Sequence, residues 1–291
     1  MKILIYGGNG WIGGLFTEYI DNNQPDVKYC IGNARVDSID SLIAEIDFVV
    51  PTHIISFIGR THGTTENGVK INSIDYLEYP GKLFENVRDN LYGPLTLADI
   101  CTKKNIHYTY LGTGCIFNTP SPIDSVSYTE RSLPNYFGSS YSIVKGFTDR
   151  LMKNYPVLNL RIRMPISSQW NDRNFITKIV KYSKICSIPN SMTVLDDFFP
   201  IFLDLMKRGS VGTYNCTNPG LIEHNEILEM YKSNILSTHT WENITLSDQS
   251  RMLLSERSNN LLDTSVISAL YPDLKPIKES VSKIINSFKK E

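Results

Sequence analysis

The sequence has no charge excess, no cysteine pairing pattern and no long apolar run, and each absence removes a class of function. Its 291 residues carry 29 Lys and Arg against 30 Asp and Glu, a formal net charge of -1. Without a basic surface to neutralise phosphates, neither nucleic acid nor anionic membrane is an expected partner, and a small soluble ligand is. The five cysteines (Cys30, Cys101, Cys115, Cys186, Cys216) are dispersed, odd in number and never arranged as Cys-x-x-Cys, which argues against a disulfide framework and against a zinc site. No metal is expected, and this cysteine usage fits a reducing cytoplasm. Before the first glycines stand only Ile3-Leu4-Ile5-Tyr6, far short of a signal-peptide core, and no uninterrupted apolar run approaches ~20 residues. The chain is expected to be soluble and unprocessed, so Asn215-Cys216-Thr217 and Asn243-Ile244-Thr245 are chance matches to a glycosylation triplet.

What is present is alternation. Lys2–Tyr6 is an apolar run ending in Gly7-Gly8-Asn9-Gly10-Trp11-Ile12-Gly13-Gly14, after which Leu15, Phe16, Tyr19 and Ile20 repeat at helical spacing. Further strands are predicted near Val27–Ile31, His53–Phe57, Tyr108–Leu111 and Val157–Ile162. Helices are predicted from an Asp37 cap through Glu45, over Leu83–Lys104 and over Ser139–Asn154. Arg60–Pro80 shows no periodicity and reads as a long loop, of the kind that is usually functional. This βαβ spacing implies an α/β fold, a Rossmann-type doubly wound parallel sheet over residues 1–165. Residues 166–291 are less regular and read as a smaller C-terminal lobe with segments laced back onto the sheet. It holds predicted helices around Phe175–Val180, Pro200–Lys207 and Glu223–Lys232 and a strand at Thr213–Cys216.

Gly7, Gly10 and Gly13 form Gly-x-x-Gly-x-x-Gly between a strand and a helix, the context of a dinucleotide fingerprint. The backbone N–H groups of the turn and of Trp11 and Ile12 then meet phosphate oxygens at the positive end of a helix. An acidic residue would be expected at the end of the second strand of an NAD-preferring domain; here the chain reads Gly32-Asn33-Ala34-Arg35. Arg35 suits a ribose phosphate, which favours NADPH over NADH. Downstream, Tyr141 and Lys145 sit four residues apart at a helix start and share a face. A neighbouring ammonium favours phenolate, so Tyr141 suits proton exchange at a carbonyl oxygen. Asn90 on the preceding helix, Gly59 after the third strand and Thr113 in Leu111-Gly112-Thr113-Gly114-Cys115-Ile116-Phe117 complete the set.

With these residues the chain resembles the extended short-chain dehydrogenase/reductase superfamily. Within it, it is similar to the 3,5-epimerase/4-reductase half of UDP-rhamnose synthases and, more loosely, to dTDP-4-dehydrorhamnose reductases. The likeness is carried by Leu4-Ile5-Tyr6-Gly7, Leu95 to Cys101, Thr113 to Phe117, Arg161 to Ser168, Arg173 to Lys178, Ile188 to Thr193, His224 to Tyr231 and Arg257-Ser258-Asn259-Asn260. The resemblance implies a two-stage reaction on a UDP- or dTDP-linked 4-keto-6-deoxy sugar. C3 and C5 are inverted through enolates, and C4 is then reduced with NADPH. It also implies roles for residues that their spacing does not reveal. Cys115 and Lys178 are the acid–base pair for the carbon acids, Asn174 contacts the nucleotide diphosphate, Arg257 meets a phosphate, and Arg60 and Thr61 begin the loop that reaches the sugar. The loop Arg60–Pro80 departs from the family's pattern. The 4,6-dehydratase half fused to many relatives is missing from the sequence, so a separate dehydratase is expected upstream, and relatives suggest a homodimer. Two other readings stand beside this one: a plain 4-reductase acting on an already epimerised sugar, and a non-catalytic NADP-binding regulatory subunit.

Overall fold

A computed structural model describes residues 1–288. The apolar run at the N-terminus forms strand β1 (Lys2–Tyr6), in which Ile3, Leu4 and Ile5 are fully buried. Such a run, unlike an alternating one, suits a strand covered on both faces. β2 (Lys28–Ile31), β3 (His53–Ser56), β4 (His107–Thr113), β5 (Val157–Ile162) and β6 (Gly212–Asn215) join it in one sheet, ordered β6-β5-β4-β3-β1-β2. β1 pairs in parallel with β2 and β3, and β3 with β4. The doubly wound parallel α/β sheet expected from the sequence is therefore present. The order reverses between β1 and β3, the switch point where such sheets open a crevice for ligands. Register places Tyr6 beside Ser56 and Ser56 beside Tyr110. The glycine turn and Phe57–Gly59 thus leave the sheet at its carboxyl edge, and β4 runs three residues beyond Tyr110 to end at Thr113 on the same edge.

The chain divides into two units: residues 1–113, 139–160 and 201–214, and residues 114–138, 161–200 and 215–291. In the first, helix α1 (Trp11–Asn23) follows the glycine turn, and Leu4, Leu42, Ile46, Ile54, Leu97 and Tyr108 belong to one buried cluster that takes in helix α2 (Ile39–Val49). A longer helix, α3, is continuous through Lys82–Val87, a π-helical turn Arg88–Tyr92, and Gly93–Lys104. α4 (Ser140–Met152) carries the Tyr141/Lys145 face. In the second unit, Ile166, Ile176, Met192, Ile227 and Ile284 belong to a separate core. That core gathers helices α5 (Phe175–Ile179), α7 (His224–Asn234) and the C-terminal α10 (Ile277–Ser287). Among the described residues no helix is long and apolar enough to cross a membrane.

Several expected boundaries move. Asp37 does not cap α2. Ser38 occupies that position, and Asp37 is engaged by Arg35 in a two-point ion pair with both contacts at 2.9 Å. Helix α6 (Leu195–Lys207) starts five residues before Pro200 and carries that proline inside it. Arg60–Pro80 is not structureless. Gly63–Thr64 and Lys70–Ile71 form a small antiparallel hairpin closed at Gly68 (φ +79°), and Ile74–Glu78 is a 3₁₀ turn. Tyr76 anchors that turn, buried and donating from its hydroxyl to Glu85 at 2.8 Å. Two short helices, α8 (Leu246–Met252) and α9 (Ser265–Leu270), were not anticipated.

Candidate active site

The glycine turn is shaped by close approach. Gly7 adopts φ +76°, and a Cβ there would meet the backbone at Ile58 at 3.0 Å; a Cβ on Gly13 would lie 2.3 Å from the Gly7 carbonyl. The turn closes with the Gly10 N–H donating to that carbonyl at 3.0 Å. No side chain caps α1, its first turn holds no acidic residue, and its first intrahelical bond runs from the Gly14 N–H to the Gly10 carbonyl. The helix thus begins with N–H groups and a dipole end that nothing in its own first turn neutralises. The indole N–H of Trp11 is also buried without a hydrogen-bond partner in the described structure. This cradle fits a pyrophosphate. At the end of β2 the exposed Arg35 is paired with Asp37, and the positive charge of Arg88 on α3 is felt at both.

The π turn has a local cause. Pro94 has no N–H to return to the Asn90 carbonyl, and the Gly93 N–H reaches back five residues to Arg88. The Thr148 hydroxyl on α4 donates to the Asn90 carbonyl at 2.6 Å. The Asn90 side chain, fully buried, accepts from the Arg60 N–H at 3.0 Å and donates to the Arg60 carbonyl at 2.8 Å. It thereby fixes the Gly59–Arg60 segment. The Arg60 guanidinium donates to Asp89 at 2.9 Å, and Thr61 is exposed.

Thr113 ends β4, 7% exposed, and Tyr141 lies in the first turn of α4, 8% exposed. The helix begins there because Ser139 accepts the Ser142 N–H at 3.1 Å. Lys145, one turn on, is buried. Its ammonium donates to the Tyr110 hydroxyl at 2.6 Å and to the Leu111 carbonyl at 3.4 Å, and it stands 4.6 Å from the Tyr110 ring centroid. Burial, then the neighbouring Tyr141, pushes the Tyr110 phenol well above its ordinary range, so Tyr110 is a fixed neutral acceptor for the lysine. Sequence reasoning missed Tyr110. Its alternation partner Tyr108 on the same strand gave no sign of which phenol would meet the ammonium.

Gly114–Phe117 forms a turn in the second unit. The Phe117 N–H donates to the Gly114 carbonyl at 3.3 Å, and Asn260 clamps the turn by donating to the Gly114 carbonyl at 3.0 Å and the Phe117 carbonyl at 2.6 Å. Cys115 is half-buried on this turn. The guanidinium of Arg163, 1% exposed, approaches its sulfur to 3.6 Å. Arg163 also donates to Ser258 Oγ at 2.9 Å, to Asn190 Oδ1 at 2.5 Å and to the Ser258 carbonyl. Met164, the next residue, is held at φ 41°, a left-handed conformation rare for methionine. The Ser258-Asn259-Asn260 run thus serves the thiol turn and Arg163 together. Neither connection was read from the sequence, because both join residues about a hundred or more positions apart.

Lys178 lies on α5, half-buried. Burial first, then the charges of Arg173 and Arg257, lowers its ammonium from the ordinary lysine range, which brings proton exchange nearer neutrality. Asn174 is fully buried at the N-cap of α5. It accepts the Ile176 N–H at 3.2 Å and donates to the carbonyls of Ser167 (2.8 Å) and Gln169 (2.9 Å). The structure gives its amide an internal capping job. Arg257 donates to the Ser255 carbonyl at 2.8 Å.

Residues 3–181 match the NAD dependent epimerase/dehydratase family. The chain is 49% identical to the L780 UDP-rhamnose synthase of Acanthamoeba polyphaga mimivirus over 99% of both chains, and that crystal structure aligns with a TM-score of 0.93. It is 42% identical, over 98% of this chain and 92% of the other, to the bifunctional dTDP-4-dehydrorhamnose 3,5-epimerase/dTDP-4-dehydrorhamnose reductase of Arabidopsis thaliana. At 15% identity, the dTDP-4-dehydrorhamnose reductase of Bacillus anthracis, solved in complex with NADP, shares the fold over 100% of this chain and 99% of its own, with a TM-score of 0.79.

Proposed function

We propose, from the premise that the chain belongs to the NAD dependent epimerase/dehydratase family, that it converts UDP-4-keto-6-deoxy-D-glucose to UDP-L-rhamnose by 3,5-epimerisation and NADPH-dependent 4-reduction. One observation carries the reading: Thr113, Tyr141 and Lys145, a carbonyl-reducing set, share a chain with Cys115 and Lys178, a thiol and an ammonium of lowered basicity. The whole-length relatives at 49% and 42% identity support it, being a UDP-rhamnose synthase and a bifunctional epimerase/reductase.

The C4 ketone makes the protons on C3 and C5 acidic. One member of the Cys115/Lys178 pair removes each proton and the other returns one to the opposite side of the ring, which inverts the centre. The Thr113 and Tyr141 hydroxyls donate to the ketone oxygen, stabilising the charge that gathers there in each enolate. In the second stage Tyr141 gives its proton to that oxygen, and the buried Lys145 ammonium, steadied by Tyr110, favours the phenolate left behind. The cofactor is held by the N–H groups of the glycine turn and of Trp11 and Ile12. Arg35, turned from Asp37, meets the ribose phosphate, and Gly59, Asn90, Tyr141 and Lys145 line its nicotinamide half. When bound, NADPH supplies the hydride to C4. Residues 1–165 serve as the cofactor domain and 166–291 as the nucleotide-sugar lobe, with Asn174 shaping the loop that meets the diphosphate and Arg257, Arg60 and Thr61 contacting substrate. The enzyme works in the cytoplasm as a homodimer, downstream of a separate 4,6-dehydratase.

The test is turnover by the purified chain alone. Given UDP-4-keto-6-deoxyglucose and NADPH, it should oxidise the cofactor and yield UDP-L-rhamnose. Oxidation only after a 3,5-epimerase is added would leave a plain reductase, and tight NADPH binding without turnover would leave a regulatory subunit.

A further inference from the structure

Arg163 presents an electrostatic problem that the proposed reaction explains. Its guanidinium is 1% exposed, and its hydrogen-bond acceptors are neutral: Ser258 Oγ, the Ser258 and Gly114 carbonyls and Asn190 Oδ1, with the Cys115 sulfur at 3.6 Å. Among the described residues no carboxylate accepts from it. Burying a cation without an anion is costly, and neutral acceptors offset that cost only in part. Burial accordingly depresses the guanidinium's basicity, while the Cys115 sulfur and the Tyr136 phenol act in its favour. Among the described residues, the groups that face this corner include His224, a half-buried imidazole that feels the charge of Arg163. Tyr136 is buried, its hydroxyl has no hydrogen-bond partner, and burial lifts its phenol out of reach of neutral pH. Glu256 and Arg257 act on Tyr136 with opposite signs, and Arg257 with Arg173 acts on Lys178.

We propose that Arg163 is a positioning residue for epimerisation: it fixes the Cys115 sulfur on its turn and supplies the positive charge opposite which that sulfur is anionic during proton exchange. This deepens the functional reading above and rests on it. The balance holds in either direction of transfer. As base, the thiolate takes the carbon-bound proton, becoming S–H, while the C–H electron pair passes into the enolate. As acid, S–H gives its proton to the enolate carbon and becomes thiolate. One side of each transfer therefore needs a countercharge at the sulfur, and Arg163 is held there by side chains from two segments distant in sequence, Asn190 and Ser258. The partners are neutral for a reason: a carboxylate on the guanidinium would compete with the sulfur for its charge.

Iodoacetamide alkylation of Cys115, followed across pH by mass spectrometry of its peptide, tests this on the intact protein. In Arg163→Met, and in Arg163→Gln where Met does not fold, the alkylation midpoint should rise by about one pH unit or more relative to wild type, and Arg163→Lys should recover most of that shift. Deuterium exchange into the keto-sugar at pH 7 should fall at least tenfold in the neutral variants. Equal midpoints in wild type and the neutral variants would overturn the proposal. Because alkylation reads the thiol without turnover, a shifted midpoint in a chain that exchanges no deuterium would sink the epimerase reading and leave the Arg163–Cys115 coupling standing.

Discussion

Thr113 and Cys115 are two positions apart in sequence, yet their surroundings suit them to different tasks. Thr113 is buried at a strand end, in the unit that carries Tyr141 and the Lys145–Tyr110 bond, where a hydroxyl can only donate, accept and orient. Cys115 is on a turn clamped by Asn260, with the buried Arg163 guanidinium at its sulfur. Substitution should separate the two. Cys115→Ala should abolish exchange at C3 and C5 while a pre-epimerised 4-keto sugar is still reduced at near wild-type rate. Tyr141→Phe should slow reduction of that same sugar ~10²–10⁴-fold, the usual worth of a positioned general acid. Stopped-flow NADPH oxidation with the pre-epimerised sugar distinguishes them, and equal loss in both variants would make the thiol structural.

Helix α3 shows how one residue type propagates through an element. Pro94 removes the donor to the Asn90 carbonyl, the helix widens to a π turn, and the Asn90 side chain reaches Gly59–Arg60. Thr148 donates to the freed carbonyl from α4. Thr148→Val, near in shape, leaves that carbonyl without this donor and should cost ~1–3 kcal/mol, read as a lower urea midpoint at unchanged slope. An unchanged midpoint would mean that water or backbone replaces the hydroxyl. At this scale the sequence was most readable where periodicity was local. β1, the glycine turn and the Tyr141/Lys145 face needed only short windows. The C-terminal helix was legible too, since Ile277, Val281, Ile284 and Ile285 keep helical spacing, but it was not read. The π turn, the hairpin inside Arg60–Pro80, and the meetings of Lys145 with Tyr110 and of Cys115 with Arg163 were not legible. Each depends on which distant group satisfies a buried donor, and local patterning carries no record of that choice.

For the whole molecule, acid should weaken the fold through His224. Burial, then the charge of Arg163, lowers its imidazole to about 4, so it stays neutral in the folded state at pH values where an unfolded chain, near 6.5, takes up a proton. Stability from this group is complete above pH ~6.5 and is lost as pH falls toward 4. The ring keeps some solvent contact, so ~1–2 kcal/mol is expected. Urea unfolding at pH 7 and pH 5 should show the loss, and His224→Gln should flatten the difference. A pH dependence unchanged in that variant would place the acid sensitivity elsewhere.

In the proposed reaction one chain both inverts two carbon acids and reduces the ketone between them. Incubating the purified protein with UDP-4-keto-6-deoxyglucose and NADPH in heavy water tests it most directly. Product rhamnose carrying deuterium at both C3 and C5 is the predicted result. Reduced product without deuterium at those carbons would contradict the claim.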